Sequence, residues 1–228
     1  MKNHLRWGGP GGLPRNIYRK FLHQIFRISS KGTNVYQRKW DLLIIIDACR
    51  FDMFQDIAPM VDRRFEDSSF IISLDTKTPE WMEKTFIKKF KCELSSTTYI
   101  CGNPFSAKKL DSEMFTSLEE VWRSNWNAKY GTVLPKDVTD RAIIESRQKK
   151  PDRLIVHYMQ PHWPFVPAMD VSEGRGMSLP TDGNPVERGD GKDVWGMLRD
   201  SEVDVEDVWE GYQDNLRYVL EEVAVLLD

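Results

Sequence analysis

Apolar residues fall along this chain in two rhythms. Continuous runs of aliphatic and β-branched residues occur at 41–47 (DLLIIID, after Trp40) and 153–159 (RLIVHYM), the pattern of strands buried on both faces of a parallel sheet. Phe70–Leu74 and Thr97–Ile100 read as further strands, the second closed by the turn Gly102-Asn103-Pro104. Helical spacing governs Phe51–Val61, Glu80–Phe90 with Pro79 suited to the first turn, and Leu118–Trp126. It also governs Thr139–Lys149, with Asp137 or Thr139 as the cap. The strongest helical pattern is Val205–Leu227, where Val208, Tyr212, Leu216, Val219, Val223 and Leu226 form one apolar stripe. Strands alternating with helices predict an α/β fold with a mostly parallel central sheet.

Two segments stand outside that alternation. Residues 170–193 are rich in Gly, Asp and Pro and read as a long loop or lid. At the other end, WGGPGGLP (7–14) cannot hold a helix, whereas Asn16–Ile28 sets Ile17, Phe21, Ile25 and Phe26 at helical spacing among basic residues. The expected organisation is an N-terminal segment over 1–35, with a flexible start and a basic amphipathic helix, followed by an α/β domain over 36–228. Packing on the domain surface is the ordinary role of such a helix; peripheral contact of 16–28 with an acidic membrane is the alternative.

Composition mainly removes options. The 228 residues include 32 Lys plus Arg and 35 Asp plus Glu, a net charge of −3, so a basic surface built to neutralise nucleic-acid phosphates is not expected. Hydrophobic residues at 40% and charged residues at 29% are ordinary for a globular protein. The length is about 1.5 times a typical domain of roughly 150 residues. No apolar stretch approaches the roughly 20 residues of a transmembrane helix, and residues 1–15 lack the apolar region of a secretory signal, so no membrane span and a cytoplasmic location are expected. Cys49, Cys92 and Cys101 are odd in number and lack CxxC spacing, which suggests reduced thiols rather than disulfides or structural zinc.

Candidate chemistry collects in three places. Asp47 ends the first buried strand, where open α/β sheets place ligands. It lacks a partner GxxxxGK[ST] loop for a nucleotide reading and a second Asp at Cys49 for an Asp-x-Asp phosphatase reading; helix capping is its structural alternative. SLDTKTPEW (73–81) clusters the hydroxyls of Thr76 and Thr78 before a helix N-terminus, whose free N–H groups favour oxyanions, although Ser and Thr are also common caps. HYMQPHWPF (157–165) delivers His157 and His162 to a strand end; His157 lies within the apolar run as a satisfied core histidine, while Pro161 and Pro164 stiffen the loop around His162.

Taken in order, these segments resemble the sulfatase and alkaline phosphatase superfamily, specifically its sulfatase-like hydrolases. The resemblance rests on WDLLIIIDACRFD (40–52), TPEW (78–81), CGNPF (101–105), HYMQPHWPF (157–165) and GYQDNLRYVLEEV (211–223), and spans about residues 36–228. It implies an alkaline-phosphatase-like α/β/α sandwich and a hydrolase or transferase acting on small-molecule or glycan sulfate or phosphate esters. It further implies Asp47 and Thr78 as ligands of a divalent metal ion (Ca, Mg, Mn or Zn). Thr78 would be the nucleophile and His162 a donor to the substrate or leaving group. Arg50, paired with Asp52, and Thr76 would lie near the substrate.

The sequence also departs from that family. The formylglycine signature Cys/Ser-x-Pro-x-Arg is replaced by Lys77-Thr78-Pro79-Glu80-Trp81, which moves the expected chemistry toward phosphoryl transfer by a threonine and leaves Thr76 as an alternative nucleophile. Histidine occurs only at positions 4, 23, 157 and 162, so the late Asp-His metal pair of the family is missing. The resemblance therefore implies a fold that stops before its last catalytic strand, weak metal binding, and two open readings: an ester hydrolase, or a non-catalytic remnant that binds oxyanions or glycans.

Overall fold

A computed structural model describes residues 32–168 and 194–228. The predicted helix at 16–28 and the whole of the 170–193 loop lie outside the described residues. A four-stranded sheet organises the rest, made of β1 (Leu42–Asp47), β2 (Thr97–Cys101), β3 (Ser117–Glu120) and β6 (Arg153–Pro161), in the order β1-β6-β2-β3 with every neighbouring pair parallel. The residue pairs β4 (Trp126–Asn127) and β5 (Thr132–Val133) form a separate antiparallel ribbon. The mixed α/β class with a parallel sheet is therefore present.

Side-chain alternation decides which helices cover which face. Ile44, Ile46, Ile100, Val156 and Tyr158 face α1 (Phe51–Val61), α5 (Pro135–Lys149) and α7 (Val205–Leu227), and share one core with Ile57, Val138, Leu216 and Val219. Ile45, Tyr99, Cys101 and Ile155 face the other way and pack with Met82 and Phe86 of the segment around α2 (Thr78–Thr85), Phe90, Leu94 of α3 (Lys91–Leu94), and Tyr36. Since the strands run the same way, Asp47, Cys101 and Pro161 all end at one edge of the sheet, the edge where parallel sheets carry ligands.

Helices α1 and α7 match the sequence expectation to the residue. Elsewhere tertiary context moved the boundaries. The expected helix 118–126 is instead β3 followed by a 3-10 turn, because Ser117–Glu120 pairs in parallel with Thr98–Cys101 and strand pairing overrides local periodicity. The expected strand 70–74 takes no strand conformation; Phe70 is 72% exposed and the segment is fastened through the Thr33 N–H to the Ile72 carbonyl. The expected helix 80–90 stops at Thr85, where Phe86 leaves helical dihedrals, and a 3-10 turn over 88–90 follows. Helix α5 starts earlier than expected, at Pro135, and neither Asp137 nor Thr139 caps it; Thr139 is buried and its hydroxyl pairs with that of Tyr158. Strand β1 is half-buried along its length rather than buried on both faces, since β6 is its one sheet neighbour among the described residues.

Helix α6 (Val194–Arg199) and the first turns of α7 enclose Trp163 and Phe165, so the loop after β6 has its own small core. Its fastening is polar. Asn215, fully buried on the apolar stripe of α7, donates to the carbonyls of His162 and Pro164 at 3.2 Å each and accepts from the Val166 N–H at 3.2 Å. Removing that side chain strands three buried backbone groups, at about 1–3 kcal/mol for each one left unpaired. Asn215→Ala is therefore expected to lower unfolding free energy by at least about 2 kcal/mol in urea titrations, with Asn215→Asp intermediate. A loss below about 0.5 kcal/mol would mean that the loop does not depend on this residue.

Candidate active site at the carboxyl edge of the sheet

Asp47 occupies the last position of β1, and a register shift between Ile46 and Asp47 pairs it with Pro161 instead of the next residue of β6. The chain then turns sharply through Ala48, whose φ of 62° is left-handed and uncommon for a residue with a Cβ. The Tyr212 hydroxyl of α7 donates to the Ala48 carbonyl and fixes that turn. The Asp47 side chain, 12% exposed, points to the α2 side of the sheet.

Three segments supply its partners. Thr78, the first residue of α2, donates its hydroxyl across both carboxylate oxygens, at 2.9 and 3.0 Å. Asn103, in the turn after β2, donates its amide N–H to Oδ2 at 2.7 Å while its own Oδ1 accepts from the Phe105 N–H at 2.9 Å. His157 of β6, 1% exposed, lies with Nε2 3.8 Å from Oδ2, close enough for charge attraction and too far for a hydrogen bond. Its Nδ1 meets the Tyr99 hydroxyl at 2.7 Å.

The turn before Thr78 is held independently of the site. Lys84 binds Asp75 at 2.7 Å, Asp75 accepts from the N–H groups of Thr76 and Lys77, and Asn34 donates to the carbonyls of Lys84 and Thr85 at the far end of α2. Gly102 must be small where it sits: an added Cβ would lie 3.0 Å from the His157 carbonyl oxygen and 3.1 Å from Val138, and the Gly102 N–H donates to that same carbonyl.

Of the residues singled out in the sequence, Asp47, Thr78 and His162 converge. They line a recess of about 280 Å³, counted with the solvent at its mouth, together with Asn103 and the apolar Phe105 and Met159. His162 is exposed at the rim; its Nδ1–H donates to the Trp163 carbonyl at 2.6 Å, which leaves Nε2 for other partners. Arg50 and Thr76 do not join them. Arg50 is exposed, forks onto Asp52 at 3.0 and 2.5 Å and lies over the Trp209 ring, while Thr76 is exposed in the turn before α2. Asn103 and His157 are the members that sequence reasoning missed. The turn Gly102-Asn103-Pro104 was visible as a turn but not as a donor, and His157 read as a satisfied core histidine although its Nε2 is buried with no hydrogen-bond partner.

Burial would push the Asp47 carboxyl up, but the His157 imidazole, the charge of His162 and the Thr78 hydroxyl outweigh it and hold it below the ordinary carboxylate range. Burial would likewise push His157 down; Asp47, with a further contribution from the neighbouring Cys101, reverses this and carries it to about 9. The three cysteines are free thiols, and burial raises that of Cys49 to about 12.

The donor set does not fit a zinc-type ion held by protein ligands alone. Such sites commonly gather three or four His, Cys, Asp or Glu ligands, and no group of three occurs among the described residues. The one carboxylate present already accepts three hydrogen-bond contacts, one from an amide N–H whose polarity opposes a cation. Compared with protein-family models, curated proteins and solved structures, the chain matches none.

The Asp47–His157 pair makes stability depend on pH in a defined direction. A histidine raised from about 6.5 to about 9 stabilises the fold fully below 6.5 and loses that contribution as pH climbs toward 9. A depressed carboxylate contributes above its unfolded value and loses its contribution as pH falls below it. Urea midpoints are therefore expected to decline between pH 6.5 and 9. In Asp47→Asn, where His157 is buried without an anion, that decline should vanish and the loss should move to acidic pH. Parallel profiles for the two proteins would show that the pair is not coupled.

Proposed function

We propose that the recess is the ester-binding site of a sulfatase-like hydrolase or transferase, with Thr78 as nucleophile and Asp47 as the group that takes its proton. The observation that carries this reading is the Thr78 hydroxyl hydrogen-bonded across both oxygens of an ionised, partly buried carboxylate, the arrangement of a nucleophile beside its base. The Thr78 oxygen attacks phosphorus or sulfur, its proton passes to Asp47, and the ester oxygen departs with its substituent. Water, or an acceptor hydroxyl in a transfer reaction, then displaces the threonine ester. In its imidazolium form His162 at the rim is the donor to a non-bridging or leaving oxygen, through the ring nitrogen that Trp163 does not occupy. In this reading the three layers of helix, sheet and helix belong to an alkaline-phosphatase-like sandwich, as the order of the five sequence segments suggests.

The charge of the site narrows the ester. Among the described residues no Lys or Arg lines the recess, and Asp47 is anionic, so a monoanion, such as a sulfate monoester or a phosphodiester, is tolerated better than a phosphate monoester dianion. The low count of metal-ligating groups favours a second reading, a protein of the same fold that binds such esters without turning them over.

Steady-state assays with p-nitrophenyl sulfate, bis-p-nitrophenyl phosphate and p-nitrophenyl phosphate test both. The expected result is measurable turnover, greater for the two monoanions. Thr78→Ala should abolish it, and Asp47→Asn should cost about 100-fold or more in kcat, the usual scale for losing a general base. Turnover unchanged in Thr78→Ala would remove the nucleophile. Saturable binding of the same esters with no turnover would select the second reading.

A further inference from the structure

His157 is a buried titratable group of the site whose chemistry the proposed reaction does not use. It stands in the middle of the sheet on β6, between Tyr99 on β2 and Asp47 on β1, with Ile45 as its register partner on β1. The Trp81 ring closes over it edge to face at 6.1 Å, and the Tyr99 ring lies nearly parallel to it, at 12°. Its Nδ1 is engaged by the Tyr99 hydroxyl at 2.7 Å, whereas Nε2 has no hydrogen-bond partner although the residue is 1% exposed. Asp47 Oδ2 lies 3.8 Å from that nitrogen.

An unprotonated Nε2 would turn its lone pair toward a carboxylate, a repulsive arrangement with no solvent to screen it. Both stable alternatives keep the proton on Nε2, facing Asp47: the imidazolium, whose Nδ1–H donates to the Tyr99 oxygen, and the neutral ring in which the Tyr99 hydroxyl donates to Nδ1. We propose that His157 is the positioning residue of this site: Tyr99 anchors its ring through Nδ1, and its Nε2–H holds the Asp47 carboxylate in the orientation that receives the Thr78 hydroxyl. The partner of Asp47 inside the sheet is then an N–H group from the chain itself. Motion of less than 1 Å would bring the 3.8 Å contact into hydrogen-bond range, so His157 can take up the lone pair of Oδ2 that a reorienting Thr78 hydroxyl releases.

The activity consequence of this role rests on the ester-cleavage reading above; the tautomer and its coupling to Asp47 do not. Long-range ¹H–¹⁵N spectra of the histidine-labelled full chain test the latter, with His157 assigned by its loss in His157→Gln. The expected spectrum has a proton on Nε2, a shift of that resonance in Asp47→Asn but not in Asp52→Asn, and, once the ring is neutral above about pH 9, mixed tautomers in Tyr99→Phe. A bare Nε2, or a resonance indifferent to Asp47→Asn, overturns the proposal. In the assays, His157→Leu should lower kcat/KM about tenfold or more through kcat, the scale of a sub-ångström misplacement, while His157→Gln, which can offer an N–H near the place of Nε2, should recover most of it. Equal losses in two folded variants would mean that His157 serves packing alone. Absence of turnover in every protein would sink the ester-cleavage reading and leave the spectra to decide the positioning role.

Discussion

A carboxylate with little access to water sets the terms for this fold. Removing an ion from water costs several kcal/mol even after relaxation, while a hydrogen bond to a charged group returns only about 1.5–3 kcal/mol. One donor cannot keep Asp47 charged in its place at the end of β1; several acting together can. They come from the start of α2, the turn after β2 and the middle of β6, segments that are 31 and 56 residues apart from Asp47 in the first two cases. The sheet edge is thus the meeting point of the chain as well as the floor of the recess.

Helix α7 makes that meeting point rigid. Tyr212 holds the left-handed turn at Ala48, and Asn215, one helical turn further on, holds the loop that carries His162. The two strands that end in Asp47 and Pro161 are therefore clamped at their exits by adjacent positions of one helix. That helix packs along its length through Leu216, Val219, Leu220 and Val223 into the core under the sheet. The direct partners of Asp47 lie mainly on the opposite face, so the two layers divide the labour: one fixes where the strands stop, the other supplies donors.

Features set by local chemistry were legible in the sequence. The apolar runs that became β1 and β6, the stripe of α7 and the Pro at the start of α2 each follow from residue type and spacing, and they suffice to bring Asp47, Thr78 and His162 to one edge. What was not legible depends on pairing. Ser117–Glu120 carries two acids and looks helical until β2 lies beside it, and Phe70–Leu74 has strand residues but takes no strand conformation. The missed site members share this character. A polar residue on the stripe of α7 was the available signal for Asn215, and an Asn after Gly at a strand end the one for Asn103. No property of a histidine in a β-branched run shows that one of its nitrogens lies unsatisfied beside a carboxylate.

An ion and a set of hydrogen-bond donors compete for the same lone pairs, and they leave different sites behind. An ion concentrates positive charge at a point and draws in highly charged oxyanions, at the cost of three or four ligands that must themselves be deprotonated. Donors spread weaker positive ends over several directions and leave the carboxylate close to its full charge. Around Asp47 the chain supplies surroundings of the second kind: an amide, a hydroxyl and one imidazole, with no second carboxylate lining the recess among the described residues. The recess consequently keeps a negative floor and an apolar wall of Phe105 and Met159. Beyond the repulsion that such a floor exerts on multiply charged anions, selection of any bound group would rest on shape and the geometry of individual hydrogen bonds, and that places the burden on how firmly each donor is held.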